Sequence, residues 1–117
     1  MGNTFEIKLS DKTFEGRCTF HAITLFEDKC GPIVENWQTM AEGKLKFSTI
    51  ATAVWAAING ERVYQGQKAM SLDVIGEMIH KEGFLQCTAY AGEFFRRSLP
   101  ESKTTSTEEE SQKKRSE

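Results

Sequence analysis

The sequence predicts an α+β fold that is mainly α-helical, with four to five short helices and a small N-terminal β-hairpin. The first residues alternate apolar and polar side chains, as a half-buried strand does, whereas later apolar residues recur every three to four positions, as on a helix. After Pro100 the chain has no apolar residue, and such a segment cannot offset the conformational entropy lost on folding. We therefore expect one compact domain over residues 1–99 and a disordered mixed-charge tail over 100–117.

The hairpin is predicted from residues 4–9 and 12–18. In the first stretch alternate positions are apolar, namely Phe5, Ile7 and Leu9. Turn-forming polar residues follow, and the second stretch is also extended in character. An isolated hairpin is marginally stable in water, so this one is expected to pack on another part of the chain.

Two helices are predicted in the first half of the chain. Thr19 is a suitable N-cap, and the apolar residues after it recur at helical spacing up to Lys29. Gly31 ends this helix. Pro32, a residue favoured in the first turn, begins a second helix over residues 32–41.

A third helix is predicted over residues 49–58, with Ser48 or Thr49 as its cap. The Asn-Gly pair that follows is a strong stop signal. Residues 59–70 are therefore predicted to form a loop, and a loop of this length suggests a functional role.

Two more helices complete the domain. Ser71 is expected to cap a fourth helix that ends at Gly83, and a fifth is predicted over residues 84–98. The fifth helix is apolar over a wider arc than a surface helix usually is. Its apolar residues are Phe84, Leu85, Cys87, Tyr90, Ala91, Phe94 and Phe95.

Composition excludes several classes of function. A formal net charge of -2, a pI near 5.8 and scattered basic residues argue against nucleic-acid binding, which usually needs a basic face. No apolar run approaches the roughly 18 residues of a transmembrane helix, and the N-terminus has no apolar signal segment. The three cysteines are expected to be reduced thiols. We expect a cytoplasmic protein that does not bind a membrane.

The sequence offers no catalytic or metal-binding constellation. Cys18, His21 and Cys30 lie near one another along the chain, but no second pair follows at the spacing of a zinc finger. Nothing marks an activated nucleophile, an orienting base or a phosphate-binding loop. We therefore expect no enzyme activity, no cofactor and no metal.

Three stretches, in this order, resemble a known family. They are TFHAITLFEDKCG at 19–31, GKLKFS followed by AVWAAI within 43–58, and MSLDVIGEMI at 70–79. Together they are similar to the small tail assembly chaperones of long-tailed bacteriophages and gene transfer agents, and the resemblance covers about residues 5–99.

The resemblance implies a non-catalytic protein of the bacterial host's cytoplasm that is absent from the mature virion. Such a protein binds the tape measure protein, recruits tail tube subunits and self-associates. Two other hypotheses remain open: a head–tail connector or minor tail component retained in the virion, and a small regulatory adaptor unrelated to phage.

A partner-binding role predicts exposed apolar residues, and five are candidates. Trp37 lies on a short, rather polar helix, and Val63 and Tyr64 fall in the predicted loop. Phe94 and Phe95 are adjacent, and adjacent helical side chains point about 100° apart. Burying both phenylalanines requires cover on two sides, which a partner chain or the hairpin would supply. We therefore predict that these five residues contact partners.

Overall fold

The computed structural model describes residues 4–99 and shows an α+β fold that is mainly helical, as predicted. Its elements are β1 (Thr4–Leu9), β2 (Lys12–Arg17), α1 (Phe20–Cys30), α2 (Ile33–Ala41), α3 (Phe47–Tyr64), α4 (Leu72–Glu82) and α5 (Phe84–Ser98). The tail predicted over 100–117 lies outside the described residues, as do residues 1–3. Within 4–99, every helix is too short or too polar to cross a membrane.

The hairpin pairs β1 and β2 antiparallel in a regular register, from Thr4 opposite Arg17 to Leu9 opposite Lys12. Ser10 in the turn has a φ of 59°, in the left-handed region that tight hairpin turns require. The alternation of β1 has the predicted effect, because Ile7 and Leu9 are fully buried. The hairpin thus contributes one apolar face to the core.

Two of the three side-chain caps predicted from Thr and Ser are present. The third prediction, Ser48 or Thr49 at the start of α3, is wrong, because Lys46 is the N-cap there. The Thr19 hydroxyl accepts a hydrogen bond from the Ala22 N–H at 3.0 Å and begins α1. The Ser71 hydroxyl accepts from the Val74 N–H at 3.2 Å and begins α4. Each cap pairs a backbone donor that the first helical turn leaves without a partner.

The predicted end of the third helix is wrong. α3 continues through Asn59 and Gly60 to Tyr64, so the predicted loop shortens to 65–71. It also begins earlier, with Lys46 as its N-cap and no side-chain cap hydrogen bond. The Asn-Gly pair is therefore used for packing inside a helix and not for a turn.

Gly60 allows the hairpin to approach α3 closely. A Cβ atom at this position would lie 2.3 Å from the backbone oxygen of Arg17 and 2.9 Å from the Ala22 Cβ. No side chain fits at either distance. The helix therefore accepts the roughly 1 kcal/mol propensity cost of a glycine in exchange for contact with the strand.

Asn59 anchors the segment that leads from α3 to α4. Its Nδ2 donates to the Met70 backbone oxygen at 2.9 Å, and its Oδ1 accepts from the Met70 N–H, also at 2.9 Å. The Trp55 indole N–H donates to the same Met70 oxygen at 2.8 Å. Asn59 is only 1% exposed, and these bonds explain how a buried amide is tolerated here.

α3 is the centre of the core. All twelve of its residues from Thr49 to Gly60 are buried, because β2, α1, α4 and α5 all pack against this helix. These four elements cover the middle of α3, so a binding surface has to lie on their outer faces, on α2, or at the exposed ends of α3.

Candidate partner-binding surface

The prediction that Phe94 and Phe95 contact a partner is wrong for the structure of this chain, because both are fully buried within it. Their rings lie 5.8 Å and 5.3 Å from the Phe26 ring of α1, measured between centroids. Trp37 of α2 covers Phe95 from another direction, edge to face at 6.3 Å. Cover on two sides is indeed needed, but α1 and α2 of the same chain supply it.

Trp37 lies at the edge of an apolar groove between α2 and α5. The Trp37 side chain is 37% exposed, and the cavity beside it has a volume of about 440 Å³. We call this surface the α2–α5 groove, and its residues are Trp37, Met40, Ala41, Ala89, Gly92, Glu93 and Arg96. Most of its lining is apolar or glycine, as is typical of the centre of a protein–protein interface.

Two of the four α5 residues that line the groove, Ala89 and Gly92, are small. Ala89 is exposed, whereas Gly92 is half-buried, and the Met40 methyl carbon lies 2.9 Å from where its Cβ would be. Leu85, one helical turn before Ala89 on the same face, is 80% exposed. Flexible Met side chains adapt to partners of different shapes. The groove therefore continues along α5 as an exposed apolar stripe.

Charged side chains border the groove on one side. Glu93 accepts hydrogen bonds at 2.5 Å from both Arg96 Nη2 and Arg97 Nε. The bond from Arg96 lowers the pKa of Glu93, and the Arg97 bond and both arginine charges add to this against the opposing effect of burial. Glu93 is thus ionised at neutral pH, and the groove has a charged rim beside an apolar centre.

Val63 and Tyr64 are exposed, but they lie in the last turn of α3 and not in a loop. Val63 is 43% and Tyr64 63% exposed. The Arg17 guanidinium lies over the Tyr64 ring at 3.8 Å, and its Nε also forms an ion pair with Glu61 at 2.7 Å. The two residues therefore remain candidates for contact, on a surface separate from the α2–α5 groove.

A larger cavity of about 570 Å³ lies between the start of α3 and α4. Phe47 borders it, with its ring 4.7 Å from Phe84 and 6.3 Å from His80. Asp73 and Glu77 also line this cavity. Two carboxylates make it less suitable than the α2–α5 groove for an apolar segment.

The thiols of Cys18 and Cys87 are not activated for chemistry. Burial raises the pKa of Cys18, whose Sγ lies 2.8 Å from the Ser98 hydroxyl. Burial, with a smaller effect from the charge of Glu82, raises the pKa of Cys87 to about 11. A thiol rather than a thiolate is a poor nucleophile and metal ligand. Over residues 4–99 no group of three or more His, Cys, Asp or Glu side chains is arranged to hold a metal ion.

Sequence reasoning found Trp37 but missed the rest of the groove. Leu85, Ala89 and Gly92 follow one another at helical spacing on α5, and Trp37 and Met40 do so on α2. This spacing, with Ala89 and Gly92 on α5 and the larger Trp37 and Met40 on α2, was the sequence pattern that could have predicted the groove. Comparison of the chain with family models, with curated proteins and with solved structures finds no match. The groove therefore has to be interpreted from its own chemistry.

Proposed function

We propose that this protein is a tail assembly chaperone of a long-tailed bacteriophage or gene transfer agent. It binds the tape measure protein and recruits tail tube subunits, and it does so without catalysis. The α2–α5 groove is the observation that carries the proposal, because it is an exposed apolar surface with a tryptophan at its edge. The resemblance of residues 19–31, 43–58 and 70–79 to this family supports the choice of partner.

The groove suits a helical partner. A long helix with apolar residues at helical spacing can lay that stripe between two helices, a common mode of peptide recognition. Trp37 and Met40 would contact the stripe, and the small side chain of the exposed Ala89 leaves room for it. Glu93 and Arg96 at the rim are placed to pair with charges that flank such a stripe.

Many copies would act together along one tape measure protein. Each groove is small, so a single contact is weak. Weak contacts repeated along one chain, and reinforced by contacts between neighbouring copies, hold the partner firmly through avidity. Tail tube subunits can still displace the copies one at a time, because no single contact is strong.

Co-expression with the tape measure protein encoded in the same gene cluster tests the proposal. The unaltered chain should keep that protein soluble, whereas Trp37→Ser and Ala89→Glu should leave it in the pellet. Val34→Ser and Gln38→Glu are matched controls, because both alter exposed α2 residues that do not line the groove. Equal solubility with Ala89→Glu and Gln38→Glu, for two folded variants, would contradict a role for the groove.

The proposal also places the protein in the host cytoplasm and outside the finished particle. Mass spectrometry of purified particles should therefore find the tube and tape measure proteins but not this chain. Recovery of this chain at one or more copies per tube ring would favour a connector or minor tail component instead. Sedimentation of the purified chain should show association that increases with concentration, and a strict monomer at high concentration would contradict the avidity mechanism.

A further inference from the structure

A positively charged cavity lies where α3 begins. It has a volume of about 320 Å³ and opens between the end of α1, the α2 helix and the first turn of α3. We call it the lysine cavity and define it by Lys29, Lys44, Lys46, Ser48 and Thr49. Within residues 4–99, no carboxylate belongs to its lining. The three ammonium groups therefore produce a net positive potential in a confined space.

Ser48, at the start of α3, lines this cavity and adds a backbone donor to it. Lys46 is the N-cap, and no side chain caps this 18-residue helix. Among the described residues, the N–H group of Ser48 has no hydrogen-bond acceptor. Free N–H groups and the positive end of the helix dipole together favour an anion.

Thr49 provides an independent indication of a ligand. It lines the cavity and is only 7% exposed, yet its hydroxyl has no hydrogen-bond partner within residues 4–99. Buried hydroxyls are nearly always paired, because leaving one without a partner is costly. The cavity is the space in which that partner would lie.

We propose that the lysine cavity binds a phosphate group. The oxygens of a phosphate accept hydrogen bonds from the Ser48 N–H group and from the hydroxyls of Ser48 and Thr49. The lysines neutralise its charge. A phosphate suits this arrangement better than a carboxylate, since three or four acceptor oxygens can use donors that converge from several directions.

The existing partners of the lysines do not compete strongly. The pair between Lys44 and Glu42 is exposed and 3.9 Å long, so it is weak. The Lys29 ammonium lies 5.6 Å from the centre of the Trp55 ring, and this contact leaves it able to bind an anion as well. The lysine cavity is therefore available without breaking a buried interaction.

Titration of the ¹⁵N-labelled full chain with inorganic phosphate, at constant ionic strength, tests this inference by NMR. The Ser48 amide signal should shift and saturate in the millimolar range. Lys46→Gln should weaken binding about threefold and the double variant Lys44→Gln/Lys46→Gln about tenfold. Thr49→Val keeps the shape of the side chain but removes the hydroxyl, so it should also weaken binding.

Control measurements distinguish binding at the lysine cavity from a general effect of the protein's positive charges. Lys12→Gln removes the same charge from an exposed position in the hairpin and should leave the affinity unchanged. Shifts that never saturate, or that change equally with Lys12→Gln, would overturn the proposal. An equal response to acetate would overturn the choice of phosphate over carboxylate.

A second titration with glycerol 3-phosphate identifies the source of the group. Tighter binding than inorganic phosphate would assign a small organic phosphate, and equal binding would assign the free ion. This inference does not depend on the proposed chaperone function, because the two surfaces share no residue. Ala89→Glu should block the groove and leave phosphate binding intact, so failure of one proposal is distinguishable from failure of the other.

Discussion

α3 and α5 are both long and rich in apolar or small residues, yet the chain buries them to very different extents. α3 is surrounded, and its residues from Thr49 to Gly60 are all buried. α5 packs against α3, α2 and α4 but leaves one face open, where Leu85 is 80% exposed. The number of neighbours, and not the apolar content of a helix, decides how much of it remains for a partner.

The two helices also use glycine differently. A Cβ at Gly60 of α3 would collide with the backbone of β2, so this glycine is required for packing. A Cβ at Gly92 of α5 would meet only the flexible end of Met40. Glycine in α3 therefore serves the core, whereas glycine in α5 helps to form the groove.

The largest effect is expected inside the shared core of these helices. Phe95→Ala should lower the free energy of unfolding by about 3–5 kcal/mol, because a fully buried ring is lost and a cavity remains. Leu85→Ala on the open face of α5 should change it by less than about 0.5 kcal/mol. Urea unfolding followed by circular dichroism measures both, and comparable losses would end the contrast between the two faces.

Loss of the Asn59 amide is expected to have the next largest effect on stability. Asn59→Ala removes a buried amide and leaves the half-buried Met70 N–H without its partner, so the free energy of unfolding should fall by about 1–3 kcal/mol. Trp55→Phe removes one donor to Met70 and keeps a ring, and should cost less. Hydrogen exchange at the Met70 amide should accelerate in Asn59→Ala, and unchanged protection would contradict the anchoring role.

Three single glycine substitutions distinguish the helices further. Gly60→Ala should destabilise the fold by about 1–3 kcal/mol, because strand β2 must move away from α3. Gly76→Ala in α4 meets nothing within 4 Å and should stabilise by up to about 1 kcal/mol. Gly92→Ala should lie between them, since Met40 can shift. Thermal unfolding measures the order of the three variants in stability. A Gly60→Ala variant more stable than the unaltered chain would refute the close approach of β2 to α3.

The smallest expected effect is electrostatic. Burial alone would raise the pKa of Glu61, but hydrogen bonds from Arg17 and Gln65, with the Arg17 charge, hold it below the ordinary value of 4.5. A carboxyl with a lowered pKa in the folded state stabilises the fold above its unfolded pKa, and this contribution is lost as the pH falls through the folded pKa. Glu61→Gln should therefore cost about 1 kcal/mol at pH 7 and almost nothing near pH 2–3. A cost independent of pH would mean that packing, and not charge, is responsible.

Local signals predicted most of the fold. The alternation in β1, the Thr19 and Ser71 caps and the helical spacing all act within a few residues, and the observed elements follow them. The Asn-Gly pair at residues 59–60 did not end the helix as predicted, because the conformation of such a pair depends on the residues that pack around it. Asn59 finds its partners at Met70, and Gly60 meets β2, so two residues that favour a turn in isolation are held in a helix.

The candidate surface was predictable only in part. Trp37 was identified from its polar helical context, and Val63 and Tyr64 are exposed as expected. Phe94 and Phe95 were misassigned because the sequence does not reveal that α1 places Phe26 against both rings. A helical pattern shows which side chains share a face, but it does not show how many other elements cover that face.

The sequence by itself determined the hairpin, the helical type of the later elements and the caps that begin α1 and α4. Only the tertiary structure decided where α3 ends, which aromatic side chains are buried and where an apolar groove remains open. The physical reason is the range of the interactions. Backbone hydrogen bonds and caps join residues three or four positions apart, whereas burial depends on contacts between residues that are far apart along the chain.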